Sequence, residues 1–427
     1  MKFTFILALL LVTSSSFARG VFAVHHLQRL NTPANEDVKN EYMELSLKGR
    51  EEKHTKWDGY YHVDARLYPG QENNSMVSAP EFYIRRKIGN GQLSAGRKIL
   101  NWNKDEQFWG LGIINANRGF SYMDFAREGI AGLHYQGRIG VIGFHLFGSF
   151  FNIPQINPSF KIENGRISST NEWAALPFKE VIFNGTKIPI YSELIQPDVK
   201  KIVFNESIGI KLDYRWKSGV AKVFGTYKPE NTLRVVATGI YDPISEAADV
   251  KASAFTNHHL VWGGNVSQKI NTNMEATMGL FVDHPDVGEL SSFEFEAMKI
   301  IPTYNRKTYA HGSLNYKNNY HNISLNYLQS FEGETSLANT FAQKTMWKQA
   351  IGAKWGFSWT SKFKIISFFK YDLKTKDNLT GIKLGYSISK HFNAGLGIET
   401  VDSPQSNSFW SPFKTNDSVT SELSYHF

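Results

Sequence analysis

The residues with the clearest capacity for chemistry are charged side chains, most of them basic, that recur at every second position in short segments. Lys211 and Arg215 stand on either side of Asp213, and apolar residues alternate with all three. Successive side chains of a β-strand point to opposite faces, so these charged groups would share one face. A water-filled enclosure whose low-dielectric wall carries such cations raises the local concentration of anions. The pattern therefore indicates anion binding rather than covalent chemistry.

The same reasoning gives a wider set of candidate pore-lining or constriction residues. Most are basic residues on the polar face of an alternating segment, and the rest belong to an aromatic-rich connection. The set is Arg85, Arg97, Trp109, Arg118, Arg127, Lys211, Arg215, Lys222, Lys354 and Lys383. Carboxylates such as Glu275 and Glu399 share the polar face. Two interpretations stay open: an anion-preferring lining, or Lys–Glu pairs across the interior that hold it shut.

Histidines are the best candidates for catalysis, and they are weak ones. His258, His259, His284 and His311 lie near predicted strand ends, with serines in range. His258 and His259 would point to opposite faces of a strand, so they cannot ligate one metal together. No Gly-rich phosphate loop leads from a strand into a helix. We predict no catalytic residue, cofactor or metal and no enzymatic activity, with a lipid hydrolase at the rim as an alternative.

Composition excludes several classes of protein. The 427 residues carry a formal net charge of +8, 20% charged residues and no cysteine. Without cysteine there is no disulfide scaffold, cysteine-ligated metal or thiol nucleophile. The modest charge content argues against a disordered or nucleic-acid-binding chain. The class that remains is a β protein rich in glycine, with 34 glycines, and in aromatic residues.

Strict alternation of apolar and polar residues recurs along the chain. Residues 419–427, 379–389 and 391–401 each alternate, and the last two are joined by a tight connection typical of a hairpin. Nineteen segments qualify as candidate strands. They are 41–49, 57–68, 77–88, 91–100, 129–137, 138–150, 206–216, 219–228, 232–241, 254–264, 272–283, 291–301, 306–316, 320–330, 344–355, 362–373, 379–389, 391–401 and 417–427. A bacterial single-chain barrel has an even number of strands.

We therefore predict an all-β fold, a transmembrane antiparallel up-and-down β-barrel of about 18 strands, with a range of 16–20. A soluble sandwich would also alternate, but rings recur here near strand ends, as at Trp216, Trp262 and Trp355. Aromatic residues at both water interfaces are typical of a lipid-facing barrel. We expect the barrel to occupy residues 41–427.

Short and long connections also alternate, as in outer-membrane barrels. Long extracellular loops are predicted near 101–128 and 151–205. In the second loop, two β runs within 180–191 surround Asn184-Gly185, a typical hairpin turn. This loop is expected to fold inward as a pore constriction or else to stand outside as a surface feature. The aromatic segment 103–128 is the second candidate: it would grip a solute or plug the mouth.

The first residues predict export. Lys2 is followed by an apolar run over 3–12 and by small residues up to Ala18, the pattern of a signal peptide cleaved after Ala18. The run is too short to span a membrane as a helix. We predict a signal peptide at 1–18 and a flexible periplasmic segment at 19–40, which contains His25 and His26.

The C-terminus carries a family resemblance. Leu423, Tyr425 and Phe427 alternate with polar residues up to a terminal phenylalanine. This resembles the terminal strand of Gram-negative outer-membrane β-barrels, which the barrel-assembly machinery recognises. A strand with Gly96-Arg97 and a following Trp109-Gly110 resembles the porin and alginate-export-like group.

The resemblance implies a porin-like protein in the bacterial outer membrane. Expected partners are outer-membrane lipid and lipopolysaccharide, periplasmic chaperones, the assembly machinery and small solutes, but no nucleic acid. The expected function is a channel that passes small hydrophilic, possibly anionic, solutes by diffusion. The alternative, from another class, is a closed structural or adhesive barrel that displays its surface loops. Neither the solute nor the oligomeric state follows from the sequence.

Overall fold

A computed structural model shows an antiparallel barrel. It describes residues 18–30, 41–52, 57–69, 75–119, 126–169, 171–174, 176, 179–183, 186–286, 298–300, 305–332 and 344–427. The barrel strands are β1 (Ala18–Arg29), β2 (Glu41–Glu52), β3 (Trp57–Leu67), β4 (Met76–Ile88), β5 (Gly91–Lys98), β6 (Ile130–Ile139), β7 (Ile142–Ser149), β8 (Ser207–Trp216), β9 (Gly219–Pro229), β10 (His258–Lys269), β11 (Met274–Pro285), β12 (Lys307–Lys317), β13 (His321–Glu332), β14 (Gln349–Ser358), β15 (Phe363–Asp372), β16 (Asn378–Ser387), β17 (Phe392–Asp402) and β18 (Ser418–His426). Each strand pairs with the next in the chain.

The barrel closes through its first strand. β1 pairs with β2 on one side and with β18 on the other, so all 18 strands have two neighbours. The predicted class and the predicted number of strands are confirmed. The terminal residues join the seam, because the Gly20 N–H donates to the Phe427 carbonyl at 2.9 Å and the Phe427 N–H donates to the Gly20 carbonyl at 3.0 Å.

Three local predictions about the barrel strands are wrong. The segment 19–40 was expected to be flexible, but residues up to Arg29 form β1, because the two barrel edges at β2 and β18 need a strand between them. The segments 232–241 and 291–301 were expected in the barrel. Arg234–Asp242 and Met298–Ile300 instead pair with other loop strands. Residues 1–17 of the predicted signal peptide lie outside the described residues.

Alternation decides which face of each strand meets which environment. On β8, Ile208, Ile210 and Leu212 are exposed on the outside, while Gly209 and Asp213 are buried on the inside. The other strands repeat this pattern, so the outer surface is a belt of exposed apolar side chains and the inner surface is mostly polar. This is the distribution expected for a barrel surrounded by lipid.

The connections differ at the two ends of the barrel. One end carries short turns, such as 89–90, 140–141 and 217–218, and the other carries all the long loops. The long loops contain helices α1 (Lys104–Trp109) and α2 (Val199–Val203) and a short 3-10 turn (Ser411–Phe413). Among the described residues, no helix is long and apolar enough to cross a membrane.

Loop strands build a second sheet that is separate from the barrel sheet. Glu180–Phe183, Thr186–Ile195, Ala247–Phe255, Arg234–Asp242 and Met298–Ile300 form a five-stranded sheet in that order. The first two of these strands pair around the predicted Asn-Gly turn, whose residues 184–185 lie outside the described residues. Their sheet partners are loop strands rather than the barrel wall. The hairpin is therefore part of a sheet built from the loops, and among the described residues it forms no ladder with the barrel wall.

Candidate functional site in the barrel interior

The connection between β5 and β6, residues 99–129, enters the barrel in its described parts, 99–119 and 126–129. Its side chains contact inward-facing residues on widely separated strands. Arg118 reaches Asp64 on β3, Asp105 reaches His311 on β12, and the Phe108 ring lies under the Lys370 amine of β15 at 5.2 Å. A single segment can touch walls so far apart only from within the lumen. We call residues 99–129 the constriction loop.

Helix α1 is shaped by its caps. Asn103 is the N-cap, and its side-chain oxygen accepts the N–H groups of Asp105 at 2.9 Å and Glu106 at 3.3 Å. Gly110 ends the helix in the left-handed conformation with φ 68°, which favours glycine. The buried Glu106 carboxylate then accepts the backbone N–H of Ile113 at 2.9 Å. These contacts fix the path of the loop before any contact with the wall.

His311 attaches this helix to the barrel wall. One of its ring nitrogens lies 2.7 Å from the Asp105 carboxylate and the other lies 3.2 Å from the Asn103 amide. All three residues are buried. Asp105 and Asn103 therefore position α1 against β12 while they shape its first turn.

Tryptophans pack the constriction loop against the interior at the long-loop end of the barrel. Trp109 is fully buried, and its ring lies 5.6 Å from that of Trp347. The Trp347 indole N–H donates to the Trp109 carbonyl at 3.1 Å. On the other side, the Trp102 indole N–H donates to His145 Nδ1 at 3.1 Å. The apolar cluster around these rings fills the loop end of the barrel beside the constriction loop.

A buried ion-pair network ties the far end of the loop to β3, β4 and β5. Glu128 is fully buried and pairs with Arg97 at 2.8 Å and with Arg118, while Ser78 donates to it at 2.7 Å. Arg118 also pairs with Asp64 at 2.5 Å. Burial opposes the charge on Arg118, but these two carboxylates outweigh it and raise its pKa above the ordinary arginine value. Two carboxylates therefore match two guanidinium groups.

A change of strand register helps to aim this network. The β3–β4 ladder shifts between His62 and Asp64, opposite the part of β4 that contains Pro80. Proline has no N–H to give to a ladder, and such irregularities redirect neighbouring side chains. Asp64 and Ser78 become direct partners at this point, and both point to the network.

The predicted basic residues of β8 and β9 form a continuous patch on the inner wall. Asp213 lies 3.2 Å from Lys211, 3.0 Å from Arg215 and 4.0 Å from Arg138. Lys222 is the direct cross-strand partner of Asp213. Four cations thus surround one carboxylate. We call this set the basic patch, and its local charge is positive.

The remaining predicted residues divide between paired and unpaired positions. Lys383 pairs with Glu399 at 3.2 Å, and Arg85 pairs with Asp58 at 3.2 Å. Lys354 faces inward on β14 and forms no ion pair with the described residues. Arg127 donates to Asn101 at 3.0 Å, and burial lowers its pKa below the ordinary arginine value. The structure therefore brings Lys211, Arg215 and Lys222 together in the basic patch and Arg97 and Arg118 together at Glu128.

The C-terminal residues and the candidate histidines can also be placed. Leu423 and Tyr425 face outward on β18, and Phe427 packs near Leu45 and Leu47. The histidines differ among themselves: the His259 ring meets Asp283 at 2.7 Å inside the barrel, whereas the His258 ring stacks on Tyr227 at 5.1 Å on the outside.

Sequence reasoning missed several residues that hold the site together. Asp64, Ser78 and Glu128 were not singled out, although all three belong to the buried network around Arg118. Their partners are distant in the chain, and no local spacing marks them. The alternation of β3 did place Asp64 on the inner face, which is the one signal available.

A cavity of about 350 Å³ lies between the constriction loop and the short-turn end of the barrel. It is bounded by α1 and by the inner faces of β11, β12 and β13. Most of the wall is neutral and polar, with asparagine, serine and threonine side chains. A solute at this end of the barrel therefore meets polar groups before it reaches the loop.

Comparison with known proteins identifies the class of fold. No protein-family model matches the sequence, and no curated protein matches it either. A BenF-like porin from Pseudomonas fluorescens Pf-5 is similar in structure, with a TM-score of 0.50 and 8% identity over 96% of this chain and 97% of that chain. Pseudomonas aeruginosa OpdK, solved with vanillate, gives a TM-score of 0.50 and 9% identity over 96% and 97%. The chain therefore has the fold of outer-membrane porins, an 18-stranded transmembrane β-barrel.

Proposed function

We propose that the protein is an outer-membrane channel that passes small hydrophilic solutes by diffusion and prefers anions. The observation that carries this proposal is the basic patch, in which Arg138, Lys211, Arg215 and Lys222 surround Asp213 on the inner wall. Unlike the pair Lys383–Glu399, this group leaves cationic charge in excess.

Position increases the effect of this charge. A low-dielectric wall focuses the field of its charged groups into the enclosed water, where it attracts counter-ions. Surface charges on the outside of a protein are screened over about 10 Å at 0.1 M salt. Lumen charges in a narrow passage act within that distance. An anion that passes the constriction loop would therefore meet a lower electrostatic energy barrier than a cation of the same size.

The porin fold supports location in the outer membrane. The exposed apolar belt fits lipid and lipopolysaccharide as surroundings, and the alternating C-terminal strand fits recognition by chaperones and the assembly machinery. Signal-peptide cleavage near Ala18 belongs to this proposal. Fold neighbours solved as porins support a transport role rather than an enzymatic one.

The test is ion selectivity in a planar bilayer. The purified barrel is inserted under a gradient of potassium chloride, and the reversal potential is read. We expect a value displaced toward the chloride equilibrium potential. The double variant Arg215→Gln and Lys222→Gln should move it toward zero because two lumen cations are lost. Lys217→Gln is the matched control, since Lys217 is exposed in the turn between the same two strands.

Two results would contradict the proposal. A reversal potential that prefers potassium in the native barrel would remove the anion preference. No conductance at any voltage would favour the closed structural barrel instead, a second candidate that the buried tryptophan cluster around the constriction loop supports.

A further inference from the structure

The inner faces of β11, β12 and β13 carry a grid of neutral hydrogen-bonding side chains. Thr277 is the direct cross-strand partner of Ser313, and Ser313 is also the partner of Asn326. One row nearer the turns, Asn315 pairs with Ser324. All five residues line the cavity below the constriction loop. We call them the amide–hydroxyl grid.

The grid has internal bonds that orient its amides. The Asn326 side-chain N–H donates to Ser324 Oγ at 2.9 Å, and the Asn315 side-chain N–H donates to Ser313 Oγ at 3.4 Å. Each amide is thus held at its nitrogen end. Its carbonyl oxygen has no partner among the described residues and is available to a ligand in the cavity. A fixed row of acceptors beside hydroxyl groups, which both donate and accept, suits a ligand that also does both.

The charged side chains that line this cavity include two carboxylates, and each has a partner: Asp105 lies 2.7 Å from His311. Lys104 of α1 lies 3.7 Å from Glu275, so these two opposite charges offset one another at the margin. Lys269 and Lys317 stand at the short turns. Phe108, on the underside of α1, contributes an apolar ring to the same cavity. The surface thus combines neutral polar groups with one aromatic ring rather than a charged binding site.

The spacing of the grid fits a ring-shaped ligand with several hydroxyl groups. Neighbouring strands lie about 4.8 Å apart, so one molecule the size of a sugar ring can reach two strands at once. The hydroxyls would bond to the amides and serines, while the C–H face would meet Phe108. The five side chains of the grid are uncharged, so an inorganic ion would find no opposite charge within the grid itself.

We infer that the amide–hydroxyl grid is a binding site for the hydroxyl groups of a neutral mono- or disaccharide on the short-turn side of the channel. This inference rests on the proposed channel function, since it names a class of solute for the same lumen. It assigns sugar contact to β11–β13 and ion selectivity to the basic patch on β8 and β9. The two properties should therefore be separable by mutation.

Maltose is the probe, and two measurements are made. Calorimetry on the barrel in detergent micelles reports binding without any need for conductance. Bilayer recording reports the reduction of ion current when maltose is added. We expect the double variant Asn315→Leu and Asn326→Leu to weaken both effects by about 2- to 10-fold for each hydrogen bond lost. Asn90→Leu, in an exposed short turn, is the matched control and should bind as the native barrel does.

Two further variants keep the outcome interpretable. Asn315→Ser with Asn326→Ser retains hydrogen-bonding groups, and it should recover part of the affinity if the leucine pair acts through the grid. Lys222→Gln should shift the reversal potential and leave maltose binding unchanged. Maltose binding without conductance would sustain the grid and remove the channel function. Conductance without maltose binding, or equal binding by the leucine pair and native barrel, would overturn the inference.

Discussion

At the residue scale, the interior is governed by buried charges whose partners come from elsewhere in the chain. Arg97 and Arg118 were predicted as pore-lining or constriction residues, and both form buried ion pairs: Arg97 with Glu128, and Arg118 with Glu128 and Asp64. Removing one partner of such a buried pair costs about 3–5 kcal/mol, because the other charge is left uncompensated. The network therefore acts as an anchor for the constriction loop, and a solute would meet Lys222 and Lys354 more readily.

Glu106 gives the loop a pH dependence with a definite sign. Burial of its carboxylate raises the pKa above the ordinary value, although hydrogen bonds from Ile113 and Ile114 oppose the shift. A carboxyl group with a raised folded-state pKa does not affect stability below the ordinary value, where both states are protonated. As pH rises from the ordinary to the raised pKa, the undocked state ionises first, so the docked loop loses stability.

We predict that protection of the Ile113 and Ile114 amides against hydrogen exchange falls as pH rises through that window. Glu106→Gln keeps an acceptor for these amides and should make the protection factors independent of pH. Glu163→Gln, at an exposed loop position, should retain the native profile. Protection that increases with pH in the native protein would contradict this prediction, because it would show that the site stabilises the charged form of Glu106.

At the element scale, alternation predicted which face of a strand is wet, but not what fills the interior. The aromatic residues of 103–128 were recognised, with gripping a solute and plugging the mouth left open. The structure favours packing, because Trp109 is fully buried against Trp347, which lies far away in the sequence. No spacing within one segment can reveal such a partner. The caps at Asn103 and Gly110 are local, however, and their residue types are typical of helix ends.

Trp109→Ala tests whether packing holds the constriction loop in place. Truncating a fully buried tryptophan leaves a cavity and costs roughly 3–5 kcal/mol, here taken from the free energy that keeps the loop docked. We expect larger current fluctuations in a planar bilayer and faster proteolytic cleavage within 99–129. The barrel itself should still form, since no ladder bond is removed.

Trp359→Ala is the matched control. Trp359 is 69% exposed at a short turn on the opposite end, so its loss should leave both current and cleavage unchanged. Equal behaviour of the two variants would mean that the ion-pair network alone holds the loop.

At the scale of the whole molecule, the predicted number of 18 strands was right, although three of the segments were wrongly assigned. Two loop strands were counted in the barrel, and one barrel strand was missed. A loop strand alternates just as a barrel strand does, so alternation could not distinguish Arg234–Asp242 from its neighbours. β1 was missed because its role is to join both ends of the chain, with β2 and β18 as neighbours, and ring closure leaves no mark on local spacing.

Closure leads to the prediction for the whole barrel. Deleting residues 18–29 removes β1 and leaves the edges of β2 and β18 without partners. An open sheet edge in lipid exposes N–H and C=O groups that nothing else can satisfy, at several kcal/mol each. A new β2–β18 pairing would need a different stagger around the whole ring. The truncated chain should therefore fail to give the heat-sensitive gel mobility shift of a folded barrel.

The control deletes a segment of similar size that is not part of the ring. Lys161–Glu163 and Arg166–Ser168 pair with each other in a two-stranded sheet that is separate from the barrel sheet, so removing residues 161–168 should leave the mobility shift intact. A single substitution refines the test. A Cβ at Gly20 would overlap the Phe427 ring, so Gly20→Val should weaken closure without shortening the chain. A normal mobility shift in the barrel without β1 would mean that 17 strands can close, and that the seam is not what completes this fold.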